Sequence, residues 1–184
     1  MKTSLAILFC FSALHAAAQD KYNYVSFNKL MEVSGTSYVV ATIEDLRKLG
    51  VKNRYLLFID TKTGQSTQVD LPKGGSLENI EQVRIDALDI NQILVSARTV
   101  DLNHKAGINW NDPTQILILS PDGKQRTQLT DSSLFVRTWA VNSQTGTLVV
   151  TGHYDTNSNG KYDKTDKNEI GIYDLKTLKL IQRI

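Results

Sequence analysis

The internal repeat of this sequence constrains its fold more than any other feature. When the chain is shifted by about 54 residues, residues 101–130 align with residues 155–184. The identical pairs in this alignment are Asp101 with Asp155, Asn103 with Asn157, Asp112 with Asp166, Ile116 with Ile170, Ile118 with Ile172 and Gln128 with Gln182. A repeat of this length predicts supersecondary units that stack on one another, because one unit alone cannot bury its apolar face.

The repeat extends upstream and includes a third, weaker copy. Residues 94–95 fall on residues 148–149 in the same alignment. Earlier in the chain, residues 55–59 match residues 115–119. The sequence therefore predicts one domain, residues 19–184, that divides into three units. The units cover about residues 22–72, 80–130 and 134–184.

Each unit contains four short runs rich in Val, Ile, Leu, Thr and Tyr, separated by turn residues such as Gly64, Gly123 and Gly146. Such runs suit a pleated, half-buried surface, so the pattern predicts an all-β fold of three four-stranded antiparallel units. The predicted strands are 25–32, 37–43, 54–60 and 66–71, then 82–88, 92–98, 115–120 and 125–130, then 135–141, 147–152, 169–174 and 179–183. Long amphipathic helical patterns are absent, and only residues 44–49 and 76–80 could form helical turns.

Three of these strands are apolar without alternation. They are residues 55–59, 116–119 and 148–150. A strand that is apolar on both sides is usually covered on both faces. The sequence therefore predicts that the sheets stack face to face.

Four-stranded units repeated at this period resemble the blades of β-propellers. The closing hairpins FIDTKTGQSTQV, LSPDGKQRTQL and YDLKTLKLIQR resemble the outer hairpins of six-bladed secreted propellers of the TolB-like type. The resemblance covers nearly all of residues 19–184 and implies a fold but no activity.

Three units are fewer than the four to eight blades of a propeller, and an open stack of three exposes the apolar faces of its end sheets. Three solutions stay open at the level of sequence. Two copies close a six-bladed ring as a homodimer, or the units close as a compact β-barrel or sandwich. In the third solution, the chain is a fragment of a longer repeat array.

The first eighteen residues have the order of a secretory signal peptide. Lys2 gives a basic start, residues 5–14 form an apolar run too short to span a membrane, and small residues precede a cleavage site after Ala18. Cys10, the single cysteine, follows Phe9 and not the small residue that lipid attachment requires. A mature chain without cysteine suits an oxidising compartment. The sequence predicts a secreted or periplasmic protein of a bacterial cell envelope.

Residues 155–166, DTNSNGKYDKTD, place oxygen-bearing side chains at alternate positions. The segment resembles the twelve-residue calcium loop of EF-hands and dockerin-type repeats, with Gly160 at the sharp turn. The ligands that this resemblance implies are Asp155, Asn157, Asn159, the main-chain carbonyl of Lys161, Asp163 and Asp166. Flanking strands replace the usual helices, so no EF-hand switch is implied. The alternative is a turn in which Asn and Asp side chains satisfy the local backbone.

The equivalent loop of the second unit keeps part of this pattern and gives a weaker second calcium site. Its candidate ligands are Asp101, Asn103, Asn109 and Asp112. Lys105 stands at the third ligand position and Ala106 at the turn glycine. The alternative is a loop without metal whose shape is held by Trp110 and Pro113. Trp110, Tyr154 and Tyr162 lie near the acidic loops, where we expect hydrophobic support of the loops, with stacking on sugar rings as the alternative.

The remaining features favour a binding protein over an enzyme. A formal net charge of +2 gives no broad attraction to nucleic acid or anionic lipid. The sequence contains no nucleophile elbow, phosphate-binding loop or dinucleotide motif. We therefore expect a calcium-stabilised module that binds a protein or glycan without catalysis. The alternative is a secreted hydrolase of carbohydrate or phosphoester with its site on the loops, which converging carboxylates or a histidine beside the acidic loop would favour. His104 and His153 carry no partner motif in the sequence, which favours loop or strand-end histidines without a catalytic role.

Overall fold

The computed structural model describes residues 24–47, 50–104, 107–160 and 162–184. These residues form an all-β fold of twelve strands. The strands are β1 (Tyr24–Glu32), β2 (Tyr38–Arg47), β3 (Gly50–Asp60), β4 (Ser66–Asp70), β5 (Ser76–Ile85), β6 (Ile90–Arg98), β7 (Gln115–Leu119), β8 (Arg126–Gln128), β9 (Phe135–Asn142), β10 (Thr147–Tyr154), β11 (Lys167–Asp174) and β12 (Lys179–Arg183). The predicted signal peptide, residues 1–18, and the predicted ligand Lys161 lie outside the described residues.

The strands form three four-stranded sheets, each with its strands side by side in chain order. The first sheet contains β1–β4, the second β5–β8 and the third β9–β12. Every strand pairing is antiparallel. The predicted all-β class and the three four-stranded antiparallel units are confirmed.

Two apolar layers hold the three sheets together, with the second sheet in the middle. The first layer, between the first and second sheets, contains Val33, Val40, Leu56, Phe58, Leu71, Ile80, Ile93, Val95, Ala97, Leu117 and Leu119. The second layer, between the second and third sheets, contains Val83, Ile90, Leu94, Ile116, Ile118, Leu129, Leu134, Leu148, Val150, Tyr173 and Leu175. Successive side chains of a strand point to opposite faces, so β7 supplies both layers and is buried throughout. The prediction that residues 116–119 are covered on both faces is confirmed.

The first and third sheets each pack against another sheet on one face only, although Ala41 and Ile43 on the outer side of β2 are buried. In β3, Leu56 and Phe58 are buried, whereas the residues between and beside them are half-buried. In β10, Leu148 and Val150 are buried and Val149 is half-buried. Coverage of residues 55–59 and 148–150 on both faces was therefore wrongly predicted, because no further sheet packs on the two outer faces within the described part of the chain.

Both predicted helical turns are wrong. Residues 44–47 continue β2, which pairs with β3 as far as Arg47 opposite Gly50. Residues 76–80 belong to β5, where Ser76 lies opposite Arg98. Ladder hydrogen bonds to a neighbouring strand satisfy these backbone groups better than an isolated helical turn does. The single helical segment among the described residues is a 3₁₀ turn, Asp86–Leu88, which ends the strand predicted over residues 82–88.

The sequence alignment is shifted by one residue along one pair of strands. The alignment places Leu94 on Leu148. In the structure, however, Leu94 pairs with Ile118, whereas the residue that pairs with Ile172 is Val149. Ile118 and Ile172 do align. A one-residue slip moves every side chain to the other face, so Val149 is the structural equivalent of Leu94.

The stack does not close on itself. Each of the three sheets ends in two edge strands that pair on one side only, β1 and β4 in the first sheet for example. This contradicts the alternative of a closed barrel for the strands that the structure describes. Across the same residues, no helix has the length and apolar character needed to cross a membrane.

Candidate functional site

The two predicted calcium loops lie next to each other at one end of the stack. One joins β6 to β7 in the second sheet and the other joins β10 to β11 in the third. Because the sheets are stacked, Asn103 and Asp112 of the first loop border the same groove as Asp155 and Asn159 of the second. The repeat therefore brings the two candidate sites together.

The first and last aspartates of the 155–166 loop hold its backbone. Asp155 accepts hydrogen bonds from the backbone nitrogens of Asn159, at 3.1 Å, and Gly160, at 2.7 Å. Asp166, which is buried, accepts from the backbone nitrogens of Thr156 at 3.2 Å and Asp163 at 2.9 Å. Both carboxylates therefore stabilise the turn itself.

Asp163 is the centre of the side-chain contacts in this loop. Its Oδ2 accepts from Nδ2 of Asn157 at 3.1 Å and from Nδ2 of Asn159 at 2.7 Å. Its Oδ1 accepts from the backbone nitrogen of Thr165 at 2.7 Å and from the Thr165 hydroxyl at 2.6 Å. These hydrogen bonds, those from Thr165 first, hold the pKa of Asp163 far below its usual range. Its carboxylate is thus ionised across the ordinary pH range.

The oxygen-bearing side chains of this loop are the ligand types that a hard cation prefers, but only some of them are directed at a common position. Asn157, Asn159 and Asp163 meet at one point, although the two amides present nitrogen to the carboxylate. Asp155 and Asp166 are directed at backbone nitrogens instead. Within the described ranges, no three His, Cys, Asp or Glu side chains converge as a metal-binding group. The hydrogen-bonded turn is the arrangement present, and calcium binding stays a prediction.

The 101–112 loop repeats part of this hydrogen-bond network, because its first and last aspartates also accept from backbone nitrogens. Asp101 accepts from the backbone nitrogens of His104 at 2.8 Å and Gly107 at 3.0 Å. Buried Asp112 accepts from Leu102 at 3.0 Å and Asn109 at 2.7 Å. Around Asp112, Leu102 and Asn109 occupy the positions that Thr156 and Asp163 occupy around Asp166. The two loops therefore share one backbone design despite their different ligand patterns.

A groove of about 620 Å³ runs between the two loops. Its lining combines amides, hydroxyls and carboxylates with two aromatic rings, and consists of Leu102, Asn103, Trp110, Asn111, Asp112, Phe135, Asp155, Ser158, Asn159 and Gly160. Trp110 is 81% exposed, so it does not hold the shape of its loop as the alternative without metal predicted. Its ring faces solvent at the groove wall and is free to contact a ligand.

His153 lies beside the acidic loop in a smaller cavity that adjoins the groove. Its ring stacks on Phe135 at 4.9 Å between centroids and meets Tyr162 edge-on at 4.7 Å. Nε of Arg137 donates to Nδ1 of His153 at 3.4 Å, and the Arg137 guanidinium lies 4.2 Å from the centre of the Tyr162 ring. Burial, and then the charge of Arg137, lower the pKa of His153 despite nearby Asp166 and Asp155. Phe135 and Arg137, which sequence reasoning missed, come from the neighbouring strand β9.

Glu169 is the other buried acid at this end of the third sheet. Its oxygens lie 3.3 Å from Nζ of Lys167 and 3.1 Å from Nε of Arg183. The Tyr154 hydroxyl donates to it at 3.4 Å, and burial together with this carboxylate raises the pKa of Tyr154 to about 12. Glu169 is thus paired with cations and a phenol rather than with the second carboxylate that glycoside hydrolysis requires.

The comparisons with known proteins identify no family. No protein-family model matches the chain, and no curated protein matches it. Among solved structures, the acylaminoacyl peptidase of Pyrococcus horikoshii in an orthorhombic crystal form matches with a TM-score of 0.48 and 8% identity. The match covers 88% of this chain and 25% of the peptidase, so the chain spans about a quarter of that protein's length. A similarity this low does not connect the two proteins in fold or activity.

Proposed function

We propose that this chain is a secreted or periplasmic β-repeat module that binds a glycan, without catalysis, in the groove between the 101–112 and 155–166 loops. The observation that carries the proposal is the exposed ring of Trp110 beside the amides and carboxylates of two adjacent loops. An aromatic face packs against the C–H face of a sugar ring, and amide and carboxylate groups hydrogen-bond its hydroxyls. A protein partner at the same groove is the other reading of these contacts.

Calcium has a structural part in this proposal. Asp155, Asn157, Asn159, Asp163 and Asp166, with the carbonyl of Lys161, would hold the ion, and Asp101, Asn103, Asn109 and Asp112 would form the weaker site. The meeting of Asn157, Asn159 and Asp163 supports the first site. A bound cation would stiffen one wall of the groove. Three carboxylates suggest weak affinity, roughly 10⁻⁴–10⁻³ M, which millimolar calcium outside the cell can fill.

Intrinsic fluorescence tests the glycan proposal, because the chain has only two tryptophans. Trp110 lies at the groove, whereas half-buried Trp139 donates through Nε1 to Glu81 at 3.0 Å, away from it. Titration with a panel of neutral and acidic oligosaccharides in calcium should change the Trp110 emission. Measured by isothermal titration calorimetry, because the variant lacks the reporting ring, Trp110→Ala should weaken binding at least about tenfold, the usual effect of truncating a central aromatic contact.

Leu180→Ala provides the matched control, since Leu180 is an exposed apolar residue of β12 outside the groove. It should bind the same oligosaccharides as the wild type. Failure of every oligosaccharide to bind, or equal binding by Trp110→Ala, would contradict the proposal. A protein that is captured through the groove and lost with Trp110→Ala would replace the glycan as partner.

A secreted hydrolase is the second candidate, favoured by the position of His153 beside Asp155. Its ring, however, is packed between Phe135 and Tyr162 and bonded to Arg137, which suits a structural part. Incubation with the same oligosaccharides and with p-nitrophenyl phosphate separates the two functions. Hydrolysis that is lost with His153→Gln would favour the enzyme, and its absence in the wild type would favour the binding module.

A further inference from the structure

The two ends of the stack carry apolar faces on which no sheet of the described chain packs. The leading face is the outer face of the first sheet and includes Phe27, Leu30, Val39, Ile43, Leu57 and Ile59; Phe27 and Leu30 are exposed on it, whereas Ile43 is buried. The trailing face is the outer face of the third sheet and includes Val149, Thr151, Ile170, Ile172 and Ile184. Both assignments follow from the strand pairings, since Val40 and Phe58, which pair, lie in the first layer and their chain neighbours point the other way.

The leading face matches, position by position, the face that the second sheet buries against the first. Both sheets bulge at the same place, between Phe27 and Lys29 in β1 and between Leu77 and Asn79 in β5. Leu30 pairs with Ala41 as Ile80 pairs with Val95, which makes Leu30 the equivalent of Ile80. Ile80 is 3% exposed, but Leu30 is 69% exposed and Phe27 is 73% exposed. The leading face thus has the side chains of a buried face without a covering sheet.

The trailing face matches the face that the second sheet buries against the third. Ile170 and Ile172 are the equivalents of Ile116 and Ile118, which lie in the second layer. The backbone nitrogen of Ile184 donates to Ile170 at 2.9 Å, as Leu129 donates to Ile116 at 2.8 Å. Leu129 is 9% exposed, whereas Ile184 is 73% exposed. The trailing face is therefore also an uncovered copy of an internal contact.

The two uncovered faces are complementary halves of one type of contact. Inside the chain, the trailing side of each sheet packs on the leading side of the next, as Phe58 of the first sheet and Leu117 of the second do in the first layer. Charge agrees with this pairing. On the leading face, Asp45 lies beside the β2–β3 turn, opposite Val25 of β1. On the trailing face, Arg137 lies with Ile170 and Ile184 at the corresponding loop end.

We propose that a second copy of this chain completes the stack, with the leading face of each copy packed on the trailing face of the other. Such a contact is heterologous, and two of them close a ring when the rotation between sheets permits it. Six sheets fall within the four to eight of closed propellers. The ring buries every apolar sheet face and is separate from the glycan groove proposed above.

Sedimentation equilibrium of the wild type and of variants tests this assembly. The wild type should have the mass of two chains. Leu30→Asp, on the leading face, and Ile170→Asp, on the trailing face, should each raise the dimer dissociation constant at least about tenfold. Trp110→Asp, an exposed apolar residue on neither face, is the control and should sediment as the wild type does. Ile184→Asp, at the exposed chain end, repeats the trailing-face test with less risk to folding.

Mixing the two variants distinguishes this ring from other dimers. An equal mixture of Leu30→Asp and Ile170→Asp should dimerise more tightly than either alone, because the heterodimer keeps one intact contact. A wild type that stays monomeric at the highest concentration overturns the proposal. A dimer that Ile170→Asp and Ile184→Asp leave unchanged also overturns it, since the leading faces would then pair with each other.

Discussion

At the scale of single residues, aspartates in the closing hairpins stabilise the turns in which they lie. Asp60, Asp122 and Asp174 each accept a backbone hydrogen bond from the residue two positions later, at 3.0, 3.1 and 2.7 Å. The pKa of each is lowered, mainly by the Ser37 side chain at Asp60, the Ser120 hydroxyl at Asp122 and the Thr177 backbone at Asp174. A turn aspartate of this kind satisfies backbone donors that no strand can reach.

These carboxylates predict an acid-sensitive fold. A carboxyl group with a lowered pKa in the folded state stabilises the fold above its unfolded pKa, near 3.9, and this contribution is lost as the pH falls through the folded value. The free energy of unfolding should therefore decrease from pH 5 to pH 2. The triple variant Asp60→Asn, Asp122→Asn and Asp174→Asn keeps side-chain acceptors but no titrating group, so its decrease should be shallower. Urea denaturation at each pH measures both slopes, and equal slopes would contradict the assignment.

At the scale of elements, β7 is buried along its whole length and contributes side chains to both apolar layers. Leu117 of β7 and Leu57 of β3 occupy equivalent positions, yet Leu117 lies in the first layer and Leu57 on the leading face. Replacement of Leu117 by Ala should cost about 2–5 kcal/mol, because it leaves a cavity between two sheets. Leu57→Ala should cost less than about 1 kcal/mol in the monomer. Urea denaturation at low protein concentration measures both, and equal losses would show that the leading face is already covered.

The loop between β10 and β11 carries the calcium prediction. At about 10 mM calcium, a site with a dissociation constant of roughly 10⁻⁴–10⁻³ M adds about 1.4–2.7 kcal/mol of stability. The melting temperature should therefore rise roughly 3–10 °C relative to chelator. Asp163→Asn should abolish most of this rise. Asp122→Asn, which changes a hairpin aspartate outside both loops, should keep it, and a wild-type melting temperature that ignores calcium would remove the ion from the account.

Sequence patterns predicted the number of sheets and their antiparallel order because alternation and turn residues are local properties. They failed at residues 44–47 and 76–80, where pairing with the next strand along the chain overrides a weak helical pattern. The one-residue shift that makes Val149, and not Leu148, the equivalent of Leu94 could not be seen in the sequence, because Leu148 and Val149 are both apolar. The oxygen-bearing loops were found from spacing, but their groove was not, since Trp110 and Phe135 meet there only after two sheets stack.

At the scale of the whole molecule, three four-stranded sheets form two internal contacts and leave an apolar sheet face at each end of the stack. Each internal contact is apolar and continuous, and each end repeats one half of such a contact. Apolar residues such as Phe27, Leu30 and Ile184 are more exposed than their equivalents inside the stack. Burial of apolar surface is the main force for association, so the ends favour a closed assembly of two copies.

Small-angle X-ray scattering of the wild-type chain tests this closure most directly. A compact ring of two copies should have a radius of gyration of about 20 Å, the value expected for a globular particle of that size. Its pair-distance distribution should be single-peaked. A mass of one chain, or a dimer with a clearly larger radius and an elongated distribution, would contradict closure of the ring through both faces.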